Sequence, residues 1–269
     1  MASAVSTVMK TSTRNQRSTA IVYWKETKYE FLKNLRLRAY SLSTIGFPTM
    51  FYILFGLILG SATIQGVRTP AYMIATYGAF GVMGTSLFGT AAGLAAERGL
   101  GWLQVKRASP MPPAAYFVGK VVMSMIFSAA VVSVLLLLGI TFGKVTMAPF
   151  QVLRLFALLI AGSLPFCAMG LALGYFMGPN SAPATINMIY LPMSFCSGLW
   201  VPIMFLPKFL RQAAHVLPPY HLAQLALRLV GGGDDTPGWQ HWQFLIGFTA
   251  VCLGIAYYGF RRDEGKMYG

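Results

Sequence analysis

The chain has 269 residues, of which 56% are hydrophobic and only 10% charged. A soluble domain carries about 25% charged residues, so this composition excludes a water-soluble fold and defines an integral membrane protein. The excess of basic residues, 21 Lys and Arg against 7 Asp and Glu, would suggest nucleic acid in a soluble chain. In a membrane chain it marks cytoplasmic loops that meet anionic headgroups, and no nucleic-acid partner is expected.

In chain order, residues 1–19 are rich in Ser, Thr and basic residues and read as a flexible cytoplasmic tail. They contain no early apolar core of the kind a cleavable signal peptide needs. Residues 20–39 read as an amphipathic interfacial helix: Trp24, Phe31 and Leu35 share a face while Lys25, Glu26, Lys33 and Arg36 point elsewhere. A solvated helix beside the membrane is the alternative.

A bilayer core about 30 Å thick needs roughly 20 apolar residues per helix. Six segments qualify, near 40–60, 71–96, 115–142, 152–177, 183–205 and 241–260, within a transmembrane region spanning 40–260. The expected fold is therefore all-α with six transmembrane helices. Lys and Arg concentrate before residue 40, between 97 and 120, and in the tail 261–269. By the positive-inside rule both termini and the 97–114 loop are expected to be cytoplasmic. Residues 203–240 hold two short amphipathic pieces meeting at Pro218-Pro219, too short to span, and read as re-entrant outer helices. Glycines spaced by four, such as Gly89 and Gly93 or Gly170, Gly174 and Gly178, predict close helix approach.

Catalytic patterns are missing. There is no zinc-binding His-Glu-x-x-His helix and no Gly-x-Ser-x-Gly elbow. The acids read as lying at the two membrane surfaces, and ion-coupled transport would place carboxylates within the spans. His215, His221 and His241 read as interfacial hydrogen-bonding groups. Cys167, Cys196 and Cys252 lie in apolar runs without metal-ligand spacing. Gly-Lys occurs twice, but neither copy has the Gly-rich approach or following Ser/Thr of a phosphate loop. No catalytic residue, metal or directly bound cofactor is expected, and any ATP must be bound by another polypeptide.

The stretch "ERGLGWLQVKRASPMPPAAYFVGK", 97–120, interrupts the apolar runs. Its Glu97-Arg98, Gly101, Leu103, Ser109-Pro110 and Gly119-Lys120 resemble the cytoplasmic loop of the ABC transporter type-2 permease family. Gly-Trp-Leu and Ser-Pro-x-Pro-Pro look most like its drug-efflux, daunorubicin-resistance-type transmembrane subunits. Residues 190–225 resemble the same family's fifth span and outer re-entrant pieces. Many relatives carry a second acid in the loop where this chain has Gln104.

The resemblance implies a homodimeric permease in the bacterial plasma membrane, each copy bound to a cytoplasmic ABC ATPase subunit that carries ATP and Mg. It implies that the loop is a coupling helix, with Glu97, Arg98, Gly101, Trp102, Leu103, Arg107, Ser109 and Pro110 meeting the ATPase. Trp102 and Leu103 supply apolar anchor area, and Pro110, Pro112 and Pro113 stiffen the link to the next span. The expected cargo is apolar or amphipathic: a drug, natural product or lipid. Tyr77, Phe80, Tyr175 and Phe195 are candidate path residues, with membrane lipids as surrounding partners. Export of a glycan or lipid-linked polysaccharide is an alternative, as is a non-transport membrane scaffold.

Overall fold

The computed structural model of the chain describes residues 2–58, 60 and 62–265, with the side chains of residues 2–18, 107 and 264–265 outside that description. Helix α1 (Ala2–Arg36) contains the helix expected from residue 20. Leu37 breaks helical geometry, and α2 (Arg38–Phe51) continues into a π-helical turn over Tyr52–Ile58. A two-residue antiparallel ladder, β1 (Thr63–Ile64) with β2 (Val67–Arg68), pairs Thr63 with Arg68 and turns the chain back into the bundle.

Helix α3 (Thr69–Leu87) is the central pillar, and every one of its residues is buried. A helix apolar on all sides has no amphipathic stripe and belongs inside other helices. It continues through a π turn over Phe88–Ala92 into α4 (Gly93–Gly99), and α5 (Trp102–Ala108) follows a tight corner. Next come α6 (Pro113–Thr141), α7 (Pro149–Ala161) and α8 (Ser163–Phe176). Then follow α9 (Ala182–Cys196), α10 (Lys208–Ala214), α11 (Pro218–Leu229) and α12 (Gly238–Gly265). Prolines open α3, α6, α7, α9 and α11, where their missing N–H removes no helical hydrogen bond.

Among the described residues, five helical stretches are long and apolar enough to cross a membrane: Arg38–Ile58, Thr69–Gly99, Pro113–Thr141, Pro149–Phe176 and Gly238–Asp263. Each matches an expected span to within a few residues. The expected fifth span, 183–205, differs. Its helix α9 has 15 residues, about 22 Å at 1.5 Å per residue, short of a roughly 30 Å core. Gly198, at φ +75°, turns the chain out of the helix, and Ser197 and Leu199 are buried in the protein. Composition alone concealed this, because the apolar run continues through the turn.

The helices meet closely where glycine leaves room. A Cβ on Gly84 would lie 2.7 Å from the Tyr190 hydroxyl, and one on Gly174 would lie 3.0 Å from the Ala91 carbonyl oxygen and from Leu94. The small-residue spacing around 170–178 thus serves packing within one chain, α8 against the α3–α4 pillar.

Candidate functional site

The 97–112 stretch is a helical corner at one end of the bundle. The Leu100 N–H donates to the Ala96 carbonyl and closes α4. Gly101 then takes a left-handed conformation, φ +73°, which glycine adopts without the Cβ penalty of other residues. That turn aims α5 across the end of the bundle. Ser109 caps the return by donating from Oγ to the Lys106 carbonyl at 2.6 Å, and Pro112-Pro113 launches α6.

The corner sorts its side chains into two sets. Leu103 is buried and packs with Leu94, Tyr116, Leu171 and Tyr175. Leu100, Trp102 and Val105 are 73%, 57% and 62% exposed, forming an apolar knob that faces away from the protein. Gln104, Ser109 and Pro110 are also exposed. Arg98 points sideways: its Nη1 donates to the Gly174 carbonyl at 3.0 Å, and its Nη2 meets Asp263 Oδ1 at 3.0 Å. It therefore ties the corner to the ends of α8 and α12. The side chain of Arg107 lies outside the described residues.

Glu97 is not on the surface. It is 8% exposed and sits in a buried charge cluster joining four helices, α1, α4, α5 and α6. It accepts a hydrogen bond from the Tyr116 hydroxyl at 2.6 Å and pairs with Lys33 of α1 and with Lys120 of α6 at 3.3 Å. Lys120 is fully buried and reaches Glu30 of α1 at 3.4 Å. Lys106 of α5 meets Glu26 at 2.6 Å and Glu30 at 3.5 Å. Two ammonium groups lie over the Tyr116 ring, Lys106 Nζ at 4.6 Å and Lys120 Nζ at 4.9 Å from its centre. Burial alone would lower the Lys33 pKa, but the carboxylates of Glu97 and Glu30 together outweigh it and hold the group above its ordinary value.

Gly119 permits this junction, because a Cβ there would lie 3.1 Å from Glu26 Cγ. So α1 turns its acids inward onto α6 and leaves Trp24, Tyr29 and Leu35 exposed. The Gly119-Lys120 pair, matched to the family by resemblance, thus has two physical tasks: close approach and a buried counter-charge.

Sequence reading missed the convergence of Glu26, Glu30, Lys33, Lys106, Tyr116 and Lys120. A signal existed in Lys120, a lysine at the start of an otherwise apolar span. A charge in such a place faces the bundle interior and pairs, and Glu26 and Glu30 lie one helical turn apart on the neighbouring helix.

The four candidate path residues are not brought together. Tyr77 and Phe80 are buried in an aromatic group with Phe51, Tyr190 and Trp200. Phe80 stacks on Tyr190 at 4.9 Å, and Phe51 on Trp200 at 5.3 Å. The Tyr77 hydroxyl donates to the Trp200 carbonyl at 3.3 Å, and the Tyr190 hydroxyl to the Phe80 carbonyl at 3.2 Å. Tyr175 is buried at the charged end under Arg98, 5.6 Å away. Phe195 is 39% exposed, on the outward side of α9 beside Leu191.

Several apolar spans, and an end sealed by paired charges that presents one apolar corner, define a multi-pass membrane protein. The chain belongs to the ABC-2 family transporter proteins, which it matches over residues 65–258. It is also similar to YvfS of Bacillus subtilis (strain 168), named as a transport permease. The two are 24% identical over 243 residues, covering 90% of this chain and 98% of that one.

Proposed function

We propose that this chain is the membrane-spanning half of an ATP-driven exporter, and that Leu100, Trp102 and Val105 form the face that seats on a separate ATPase subunit. The observation that carries this reading is the sorted corner: an exposed apolar knob whose base is fixed by buried Leu103, by Arg98 and by the Glu97–Lys120 cluster. Exposed apolar side chains backed by a rigid, charged base suit a protein–protein contact in water. Membership of the ABC-2 family supports the ATPase as the partner. The ATPase carries ATP and Mg; this chain supplies the passage and the handle.

In this reading the charged end is cytoplasmic, as the concentration of Lys and Arg there favours, and the membrane is the bacterial plasma membrane. The short α9 with the buried turn after it makes the sixth crossing. Its return is covered by protein, which is the condition for irregular backbone at membrane depth. Two copies form the passage. The cargo is apolar or amphipathic, in keeping with the apolar side chains Met188, Leu191 and Phe195 exposed along α9.

The test combines Trp102→Ala with Val105→Ser in the full chain co-expressed with its ATPase. Loss of co-purification and of ATP-dependent transport into inverted vesicles is expected, with the permease still extracted as a folded protein. Retention of both activities defeats the docking role. ATPase binding without transport of any apolar cargo points to a scaffold. Orientation is checked with Gln104→Cys, which should label only from the cytoplasmic side.

A further inference from the structure

At the end of the bundle opposite the charge cluster, α11 is fastened to α12 by a chain of polar contacts in an otherwise apolar setting. His221 of α11 is 8% exposed, and His241 in the first turn of α12 is fully buried. Their Nδ1 atoms face one another at 2.8 Å. The outer nitrogens are also engaged: His221 Nε2 lies 2.9 Å from the His215 carbonyl oxygen, and His241 Nε2 lies 3.1 Å from Asp234 Oδ1. Phe244 stacks on the His221 ring at 3.9 Å.

Asp234 is itself held in place. The Tyr220 hydroxyl donates to its Oδ2 at 2.6 Å, its N–H donates to Gln224 Oε1 at 2.9 Å, and Arg228 Nη2 donates to its carbonyl at 3.0 Å. Arg228 Nη2 also lies 3.5 Å from Asp234 Oδ1.

Donors and acceptors can be counted along this chain. A neutral imidazole has one donor and one acceptor. The His215 carbonyl only accepts, so His221 Nε2 carries a hydrogen. A neutral His221 then accepts at Nδ1, and His241 must donate from its own Nδ1. A neutral His241 is left with a bare Nε2 facing Asp234, and an ionised carboxylate also only accepts. Three contacts therefore cannot all be hydrogen bonds while both rings are neutral and Asp234 is ionised. One added proton resolves it. His241 as imidazolium donates to His221 and to Asp234, and the carboxylate balances its charge. A second added proton would set two N–H groups against each other across 2.8 Å.

We propose that His221, His241 and Asp234 form a proton-binding site that locks α11 onto α12 when it holds a single proton. The ligand is the proton rather than a metal ion, because only two ring nitrogens converge, and among the described residues no group of three His, Cys, Asp or Glu side chains is placed to hold a metal. The α10–α11 segment becomes a lid whose attachment is firm in a window of pH and loosens on either side of it.

The surroundings favour this charge distribution. Burial lowers the His221 pKa, and the neighbouring His241 and His215 lower it further, against the opposing effects of the His215 carbonyl and Asp234; His221 is thereby kept the neutral partner. Burial raises the Asp234 pKa, but hydrogen bonds from Tyr220, His241 and Thr236 more than offset this and hold it below its ordinary value, so it stays an anion. The other ionisable groups around the site are accounted for. His215 and Tyr220 lie edge-on at 4.8 Å. Arg228 is on Asp234, and Tyr72 of α3 acts on Tyr220. From α7 the charged residue Arg154 is turned onto the Phe150 ring.

The test uses the full chain in lipid nanodiscs with ¹⁵N-labelled histidine. A scalar coupling across the Nδ1–H···Nδ1 bond is expected near neutral pH and should vanish at acid pH, where a second proton sets two N–H groups face to face; at alkaline pH the His241 Nε2–H resonance toward Asp234 should be lost. Amide hydrogen exchange over 215–241, corrected for intrinsic rates, should pass through a minimum and rise about tenfold on either side, the size expected when one buried contact loses its hydrogen bond. His221→Gln and His241→Gln should each flatten that profile. A flat wild-type profile without the coupling overturns the proposal, as does a wild-type profile in both variants. Stoichiometric zinc on the histidines of the purified protein also overturns it. The coupling is read on the wild type, so it decides even if a variant does not fold.

Discussion

Lys120→Met is the most informative single change. The side chain it removes is fully buried and lies 3.4 Å from Glu30 and 3.3 Å from Glu97. An isolated buried ion costs several kcal/mol in lost hydration, and deleting one partner of a buried pair typically destabilises by about 3–5 kcal/mol, because the other charge is left uncompensated. Here Lys33 and Lys106 remain near the acids and are 45% and 23% exposed, so solvent and these two cations soften the loss. The expected cost is about 3 kcal/mol, the low end of that range. At roughly 2–4 °C per kcal/mol for a chain of this size, the midpoint falls by roughly 6–12 °C. Thermal unfolding in detergent, followed by size-exclusion recovery, measures it. Adding Glu97→Gln to Lys120→Met should cost less than the two single changes together, since the second removes a charge the first has stranded. A Lys120→Met midpoint within about 2 °C of wild type, or strict additivity of the pair, would refute the view that the cluster is a mutually dependent joint.

Gly101→Ala forces a Cβ into the φ +73° corner and should cost about 1–2 kcal/mol; ATPase co-purification should weaken as α5 loses its direction. Tyr220→Phe removes the 2.6 Å hydrogen bond to Asp234. Asp234 has a folded-state pKa below its ordinary 3.8, so its contribution is present above that value and lost as pH falls toward and through the folded pKa. The variant should lower stability by about 1 kcal/mol at neutral pH and flatten the acid limb of a melting-temperature profile. Gly174→Leu drives a side chain against Ala91 and Leu94, at 3.0 Å already for its Cβ, and should lower the midpoint by several degrees through overpacking of about 1–3 kcal/mol.

Most of the architecture follows from features visible along the chain. Each of the five long apolar helices coincides with an apolar run of spanning length, and Pro218-Pro219 does divide the 203–240 segment, by starting α11 rather than by breaking a longer helix. The short α9 was hidden because hydropathy registers apolarity and not helix length, and the buried turn at Gly198 is as apolar as the helix before it. Side-chain direction around the corner was also hidden. Trp102 and Leu103 are adjacent in sequence, yet successive residues on a helix point about 100° apart, so one is exposed and the other is core. Glu97 is expected at the docking face because the Glu97-Arg98 pair resembles the family's cytoplasmic loop. In the fold it lies in the last turn of α4 and meets Lys120 from the next span, a pairing that depends on how α4, α6 and α1 cross. His221 and His241 do hydrogen-bond through their rings, whereas His215 takes part through its backbone carbonyl, and the pairing of the two rings needs distances that no spacing supplies.

The corner is fastened at three points that point in different directions. Leu103 enters the core of α4, α6 and α8; Arg98 grips Gly174 and Asp263; Glu97 and Lys106 join α1 and α6 through Lys120, Glu30 and Glu26. A push on the exposed Trp102 therefore cannot tilt α5 alone without parting a buried ion pair, and parting one strands a charge at a cost of about 3–5 kcal/mol. Moving α1, α6 and the corner together keeps every one of these ion pairs between α1, α5, α4 and α6 and loads only the Arg98 grip and the Leu103 contact with α8. The low-energy response to a load on the knob is thus a displacement of the α1–α6 pair against the α3 pillar. Where Gly81 of α3 faces Val131 of α6 and Pro48 of α2, the pillar meets its neighbours across a small surface that allows sliding. Weakening the Arg98–Asp263 grip, with Arg98→Ala, should separate the two responses: α12 would be released while α1 and α6 stay joined. Cysteine crosslinks between α1 and α6 should then persist through the ATPase cycle, while crosslinks from α5 to the end of α12 should fade. Loss of both sets together would show that the corner moves as one body with α12, and would overturn the division of load argued from these contacts.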